Sequence, residues 1–214
     1  MSTDQAPQRR AYSSPRRQQQ AAENRAAVVA AAIQLFGDRG FVATGMKDVA
    51  GEAGLSLETV YANFRSKSDL LLAAIDVAVV DDAEPVPLRQ RPEFSALGRG
   101  GSEQRARAAA RMVTGIHRRT AGVILALREA AASDAALARL MREREDGRRA
   151  DVERGIALVA GRPVSAEECD GLWAVLDVGV YRLLTDMRGW TSHQYELWVA
   201  DLIARQLRDA GRQT

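Results

Sequence analysis

The stretch GLSLETVYANFRSKSDLL, residues 54–71, places polar side chains at the starts of two short helices. Ser56 and Ser66 each precede a helical pattern, where a hydroxyl can accept a hydrogen bond from an unpaired N–H of the first turn. Tyr61 carries a hydroxyl that can donate to a phosphate, and Lys67 adds a charge beside the free N–H groups of the next helix. The chemistry that these residues predict is the clamping of backbone phosphates.

Residues 45–64 favour a helix-turn-helix, in which Gly54 supplies the turn and a second helix starts after Ser56. Val60 and Phe64 are four residues apart, so both face inward. Side chains on the outer and flanking faces can then reach base edges in a major groove. These are Ser56, Leu57, Glu58, Thr59, Tyr61 and Ala62. A helix-turn-helix is also plain architecture in many helical proteins, and that alternative stays open.

The rest of the chain predicts helices only. No segment alternates apolar and polar residues over the length of a strand, and the six prolines lie outside the helical patterns. Ser165 and Glu168 have the spacing of a capping box. Thr44 is predicted to cap the second helix. The predicted helices cover about 21–40, 45–53, 57–64, 67–80, 102–119, 121–132, 134–160, 166–187 and 193–209.

Composition divides the chain into four parts. Residues 1–21 are polar and predicted to be a disordered basic arm, and residues 22–81 hold the first four helices. Residues 82–101 concentrate proline and glycine and are predicted to be a loop. Residues 102–214 form a C-terminal helical domain.

Several classes of protein are not indicated. No run of apolar residues is long enough to span a membrane, and the N-terminus lacks the apolar centre of a secretion signal, which predicts a cytoplasmic protein. Cys169 is the single cysteine and is interpreted as a small buried side chain. His117, beside two arginines, is interpreted as a surface residue. No phosphate loop, nucleophile elbow or metal-ligand spacing occurs, so no enzyme, cofactor or metal is predicted.

The charge distribution is more informative than the net charge of +2. Residues 1–20 carry Arg9, Arg10, Arg16 and Arg17 against one aspartate, whereas residues 22–80 carry five basic side chains against seven acidic ones. Affinity for a polyanion comes from cations that displace its counterions. The arginines of the arm are therefore predicted to supply non-specific affinity; a tail without a role is the alternative.

Residues 31–71, AAIQLFGDRGFVATGMKDVAGEAGLSLETVYANFRSKSDLL, resemble the DNA-binding domain of TetR-family transcriptional regulators. Among the matching positions are Gly40–Phe41, Asp48–Val49–Ala50 and Thr59–Val60–Tyr61. The run at 172–203 is also similar to the end of many family members. Gly45 and Glu58 depart from the residues that are common at their positions.

The resemblance implies an all-α fold of about nine helices. A three-helix DNA-binding domain would be joined through a fourth helix to a ligand-binding and dimerisation domain. Function would be repression by a homodimer on a palindromic operator in double-stranded DNA, with release by a small-molecule inducer. A ligand-independent or architectural DNA-binding protein, or an activator, is the alternative. The predicted DNA contacts are Arg16, Arg17, Thr44, Lys47, Ser56, Leu57, Glu58, Thr59, Tyr61 and Lys67.

The last two predicted helices carry apolar stripes that suit a four-helix interface between two copies of the chain, or an intramolecular core. The predicted interface residues are Leu172, Leu176, Val180, Leu183, Tyr195, Trp198 and Leu202. An apolar pocket with a few polar groups is the family's implication for the C-terminal domain. The candidates to line it are Met112, Ile116, Ile124, Trp173 and Asp177. Met and Ile at this spacing also fit a core.

Overall fold

The computed structural model describes residues 15–82, 84 and 86–209. Every regular element in these ranges is helical, which confirms the all-α prediction. The described part of the chain contains nine α-helices of five residues or more. They are α1 (Pro15–Arg39), α2 (Met46–Glu52), α3 (Leu57–Asn63), α4 (Lys67–Val80), α5 (Ser102–Ala131), α6 (Ala135–Ala160), α7 (Ala166–Val175), α8 (Val178–Arg182) and α9 (Ser192–Asp209).

Helix α1 begins earlier than predicted. The disordered arm was expected to run to residue 21, and this is wrong from Pro15 onward, because α1 already starts there. Proline is favoured in the first turn of a helix, and the residues after it are good helix formers. Gln19 donates to Glu23 one turn further on, at 3.0 Å, which supports the added turns. Arg9 and Arg10 lie outside the described residues.

The first four helices pack around an apolar core to which the C-terminal helices also contribute. Phe36, Val60 and Leu71 are fully buried in it, and so is Leu127 of α5. Burial of apolar side chains of this size contributes about 1.5–3 kcal/mol each. The segment that contains the first four helices is therefore stabilised in part by residues beyond 101.

Between α4 and α5, residues 86–101 contain three single helical turns, Leu88–Gln90, Pro92–Ser95 and Ala96–Gly98. Phe94 and Leu97 are buried in the second core, and the Arg91 guanidinium donates to both oxygens of Asp82, at 2.5 and 2.8 Å. The predicted loop is therefore confirmed only for the residues between these helical turns.

The two helices predicted at 102–119 and 121–132 are the single helix α5. Conversely, the helix predicted at 166–187 is interrupted between Val175 and Val178. At that interruption the Asp177 carboxylate caps α8 by accepting from Gly179 N at 2.7 Å. The Arg148 guanidinium donates to the freed carbonyl oxygens of Trp173 and Leu176, at 3.0 and 3.3 Å. Side-chain capping thus compensates for the broken helix.

A short π-helical segment, Leu183–Met187, follows α8 and leads to α9. The second core lies between α5, α6, α7 and α9, and its largest fully buried side chain is Tyr195. This second core fills the centre of the C-terminal half of the described chain.

Candidate nucleic-acid interface

The turn between α2 and α3 is built by glycine. Gly54 has φ of 66°, a left-handed conformation that glycine adopts without steric cost. Its amide donates to Gly51 O at 3.2 Å, and the next amide, of Leu55, donates to Ala50 O at 3.0 Å. Ser56 follows in extended conformation and begins α3. The turn therefore holds the two helices in a fixed relation.

Helix α3 has one buried and one exposed face. Val60 is fully buried and Phe64, just past the end of the helix, is nearly so. Leu57, Glu58 and Tyr61 are exposed, and Tyr61 retains 51% of its accessible surface. The predicted outward face is thus confirmed as a surface.

The N-terminus of α3 is capped as the sequence predicts. The Ser56 hydroxyl accepts from Thr59 N at 3.2 Å and lies 3.0 Å from the Thr59 hydroxyl. Glu58 lies in the first turn, where a negative charge interacts favourably with the helix dipole. This gives Glu58 a structural role that does not require a base contact.

Arg25 of α1 secures the other end of α3, and sequence reasoning missed it. Its guanidinium donates to Asn63 O at 3.2 Å and lies 4.3 Å from the centroid of the Phe64 ring. A cation at a helix C-terminus satisfies the last carbonyl groups and opposes the dipole. The position of Arg25 beside the apolar stripe of α1 was the signal in the sequence that could have identified this role. Both ends of α3 are thereby held in place.

Thr44 is not at the surface, which corrects its assignment as a DNA contact. It is 0% exposed, and its hydroxyl lies 2.8 Å from Gly40 O and 3.1 Å from Leu35 O. The cap position of α2 belongs to Gly45, whose amide donates to Asp48 Oδ2 at 2.8 Å. Thr44 satisfies the last carbonyl groups of α1, so its role is to join α1 to the turn.

Lys67 begins α4 but its ammonium is already engaged. Nζ donates to Phe41 O at 2.8 Å and lies 4.1 Å from the centroid of the Phe41 ring. Ser66 caps α4, as predicted, by accepting from Asp69 N at 3.0 Å. Lys67 thus fixes the loop between α1 and α2.

Three further cations that were predicted to contact DNA lie at the surface of the protein. Lys47 is exposed at the start of α2, and Arg16 and Arg17 are exposed at the start of α1. A cation at a helix N-terminus is repelled by the positive end of the helix dipole and does not stabilise the helix. The two arginines are thus available for an external anion.

Helix α5 contacts the segment of the first four helices at several points. A Cβ added to Gly122 would lie 3.1 Å from the carbonyl carbon and oxygen of Gly37, and closer still to its Cα. Arg119 donates to Ala78 O at 2.9 Å, at the end of α4, and Phe41 N donates to Glu129 Oε2 at 3.0 Å. Movement of α5 would therefore be transmitted to α1 and α4.

His117 is buried, so its interpretation as a surface residue is wrong. It is 7% exposed, and its Nδ1 lies 3.1 Å from the hydroxyl of Tyr195. Burial, reinforced by the nearby charge of Arg148, lowers the pKa of His117 to about 4. Burial raises the pKa of Tyr195. The pair is accordingly neutral at physiological pH.

Three of the predicted interface residues belong to the core of one protomer. Leu172, Leu176 and Tyr195 are between 0 and 4% exposed and pack inside the second core, so their assignment to a dimer interface is wrong. An apolar stripe on a helix predicts burial but not against which partner. Val180, Trp198 and Leu202 are half-buried, and Leu183 is exposed.

The five candidates for a ligand pocket do not line either of the two cavities described below. Met112 and Ile124 pack against the second core, and Arg148 lies over the ring of Trp173 at 4.9 Å. Although burial acts to raise it, hydrogen bonds from Arg128 hold the pKa of Asp177 below its ordinary value. Two cavities, of about 540 and 780 Å³, lie elsewhere, and none of the five, Ile116 included, lines either of them.

No helix in the described ranges has the length and apolar character needed to cross a bilayer. Those ranges also contain no group of three histidine, cysteine, aspartate or glutamate side chains placed to hold a metal ion. Cys169 is buried, as its interpretation from sequence required.

Comparison with known proteins agrees with this geometry. Residues 28–74 match the family described as bacterial regulatory proteins, tetR family. Among curated proteins, nothing matches the chain.

Three solved structures share the fold. A TetR-family member from Streptomyces coelicolor A3 is 22% identical, with a TM-score of 0.60 over 86% of this chain and 98% of that one. A transcriptional regulator from Saccharomonospora viridis, in complex with choline, is 21% identical, with a TM-score of 0.63 over 85% and 96%. The multidrug binding protein EbrR, complexed with imidazole, is 24% identical, with a TM-score of 0.52 over 86% and 94%.

The helix-turn-helix and the helical C-terminal half give the chain an all-α fold. Residues 28–74 match the tetR family of bacterial regulatory proteins and the fold is shared with a TetR-family structure, so the chain is similar to TetR-family transcriptional regulators.

Proposed function

We propose that the chain is a repressor that binds a palindromic operator as a homodimer and is released by a small-molecule inducer. The observation that carries this proposal is the outer face of α3, which is exposed while both ends of the helix are held by Ser56 and Arg25. A helix of this kind enters the major groove as a preorganised unit. The proposed site of action is the cytoplasm.

The contacts divide into two kinds. Thr59 and Leu57, at the start of α3, are proposed to approach base edges, where hydroxyl and apolar groups discriminate between bases. Tyr61 and Lys47 are proposed to contact phosphates, which position the protein without reading sequence. Arg16 and Arg17 add charge at the start of α1.

The proposed dimer keeps Leu183 from the predicted set and adds two exposed residues, Met187 and Leu197. Leu183 and Leu197 are each 55% exposed and Met187 is 73% exposed, an unusual accumulation of large apolar side chains at one end of the chain. We call these three residues the apolar patch. A second copy would bury it against its own equivalent, with Val180, Trp198 and Leu202 at its margin. A dimer also places two α3 helices at the ~34–36 Å spacing of successive major grooves.

Release by an inducer requires that the C-terminal half influence α1 and α4. The contacts of α5 with Gly37, Phe41 and Ala78 supply a direct connection. A coupling of about 1–3 kcal/mol between effector and operator is enough for induction.

The test is a selection of fragmented genomic DNA from the source organism by the purified protein at physiological salt. Enrichment of a single palindrome establishes specific binding. Absence of any enriched sequence, with a correctly folded protein, would reject the proposal and leave the helix-turn-helix as scaffold.

The dimer is tested in the same preparation by light scattering. Leu183→Glu should dissociate it, because a buried unpaired carboxylate is costly. Val42→Glu is the matched control, since Val42 is also an exposed apolar residue, at 72%, but lies in the loop before α2. A dimer that survives Leu183→Glu unchanged would exclude the apolar patch as its interface.

A further inference from the structure

A cavity of about 540 Å³ lies at the junction of the DNA-binding segment and the C-terminal half. Part of its lining comes from α1, at Gln34 and Asp38, and another part from α5, at Arg118. The π-helical segment and the residues before α9 close it, with Trp190 among them. The volume falls within the roughly 300–1,000 Å³ of small-molecule sites.

Most of the charged groups that line the cavity already have partners. Arg119 donates to Ala78 O and Val79 O, at 2.9 and 3.1 Å, and lies 3.6 Å from Asp81. Arg182 pairs with Asp186. These groups give the cavity its shape, and most of their hydrogen-bonding capacity is taken up by partners within the protein.

Two charged groups remain. Asp38 and Arg118 are exposed, and neither forms an ion pair or a hydrogen bond with another side chain in the described part of the chain. They carry opposite charge and belong to two different helices. A ligand with one charged group would satisfy one of them only, whereas a ligand with both charges satisfies both.

The closing side of the cavity is partly apolar. The half-buried ring of Trp190 is held edge-on against Trp198, with ring centroids 6.2 Å apart. The hydroxyls of Tyr181 and Ser192 bond to each other at 3.0 Å, so they leave little unmet polarity there. An apolar side chain on the ligand therefore fits this side.

We propose that this cavity binds a small zwitterion of the amino-acid type, with its cationic group at Asp38, its carboxylate at Arg118 and its side chain toward Trp190. The inference deepens the proposed function and rests on it for its regulatory consequence. Because Asp38 belongs to α1 and Arg118 to α5, an occupant ties the two helices together beside the contact of Gly37 with Gly122. A change of operator affinity of roughly 5- to 150-fold follows from a coupling of ordinary size.

The test uses thermal unfolding of the full chain without DNA, with a matched panel of compounds. The twenty amino acids supply zwitterions, their amides supply cations, and their N-acetyl derivatives supply anions. We expect at least one amino acid to raise the midpoint of unfolding, and its amide and N-acetyl forms to lose most of that shift. Asp38→Asn and Arg118→Gln should each abolish it. Glu143→Gln and Arg99→Gln, at exposed positions away from the cavity, should not.

No stabilisation by any amino acid would overturn the proposal. So would a shift that persists in both Asp38→Asn and Arg118→Gln, or one that the amide and N-acetyl forms reproduce in full. Since the measurement contains no DNA, a failure of the ligand site and a failure of operator binding are distinguished. Loss of the operator in the genomic selection rejects the proposed function, and an amino-acid shift in the same protein still locates the site.

Discussion

Gly37 and Gly122 bring the backbones of α1 and α5 into direct contact. An added Cβ on Gly122 would overlap Gly37, whereas one on Gly37 would lie at an ordinary 3.8 Å from Gly122 Cα. The absence of a side chain at position 122 is thus a requirement of the crossing. The crossing also lies beside the cavity between the two halves of the chain.

Gly122→Ala should separate the two helices and cost on the order of 1–3 kcal/mol of unfolding free energy, because the methyl group has no room. Denaturant unfolding measures this. Gly147→Ala is the control, since a Cβ added at this position would have no atom within 4 Å. Because the change replaces a glycine in a helix interior, we expect it to raise the unfolding free energy by about 0.5–1 kcal/mol. Equal stability of the two variants would contradict the close crossing.

Thr44→Val should destabilise the fold without altering the intrinsic affinity for DNA. The change removes a buried hydroxyl that lies between two carbonyl oxygens and leaves them unsatisfied, at a cost of about 1–3 kcal/mol. Chemical denaturation measures the cost, and DNA titrations corrected for the folded fraction give the affinity. A stable Thr44→Val protein with weak operator binding would restore Thr44 as a DNA contact.

Tyr61→Phe and Thr59→Ala should separate positioning from base reading. Loss of the Tyr61 hydroxyl should weaken binding to all sequences by about 1 kcal/mol, with an unchanged salt slope, because the group is neutral. Thr59→Ala should change the preferred base at one operator position. Titration against a set of single-base operator variants measures both. If Tyr61→Phe altered base preference, its assignment to a phosphate would be wrong.

The double variant Arg16→Gln, Arg17→Gln should reduce the slope of log affinity against log salt by about four for the proposed dimer, since each protomer loses two phosphate contacts and each contact contributes about 0.9. Point changes suit this test better than deletion of residues 1–20, because α1 begins at Pro15 and deletion would remove its first turns. Arg107→Gln, Arg111→Gln, on the exposed side of α5, is the matched control. An unchanged slope would show that the start of α1 does not contact DNA.

His117 predicts a loss of stability in mild acid. Its pKa is about 4 in the folded protein and about 6.5 when unfolded, so between these values the unfolded chain binds more protons. Unfolding free energy should fall by about 2 kcal/mol as the pH drops from 7 to 5. His117→Asn should flatten this dependence, whereas His193→Asn, at an exposed position, should keep it. A wild-type slope in His117→Asn would assign the pH dependence to other groups.

The parts of the fold that sequence predicts well are those set by short-range signals. Gly54, Ser56 and the four-residue spacing of Val60 and Phe64 specify the turn and the two faces of α3 without reference to distant residues. The caps at Ser66 and Ser165 are of the same kind.

The errors arise where a residue's partner is distant in sequence. Thr44 and His117 are polar residues, and their burial is made favourable by hydrogen-bond partners, the carbonyls of Leu35 and Gly40 for Thr44 and the hydroxyl of Tyr195 for His117. Helical spacing did contain a signal for His117, because Ala110, Thr114 and Ala121 share its buried face. Leu172 and Tyr195 show the converse limit, since an apolar stripe does not say whether its partner is the same chain or another copy.

The position of Lys67 has a practical consequence for chemical labelling. The chain has two lysines, Lys47 and Lys67. The amine of Lys67 donates to Phe41 O and lies against the Phe41 ring, whereas that of Lys47 is exposed beside the helix-turn-helix. Apart from the α-amino group, an acylating fluorophore should therefore attach at one side chain, next to the surface that is proposed to meet the operator. Such a label would report DNA docking by its fluorescence without any engineered cysteine.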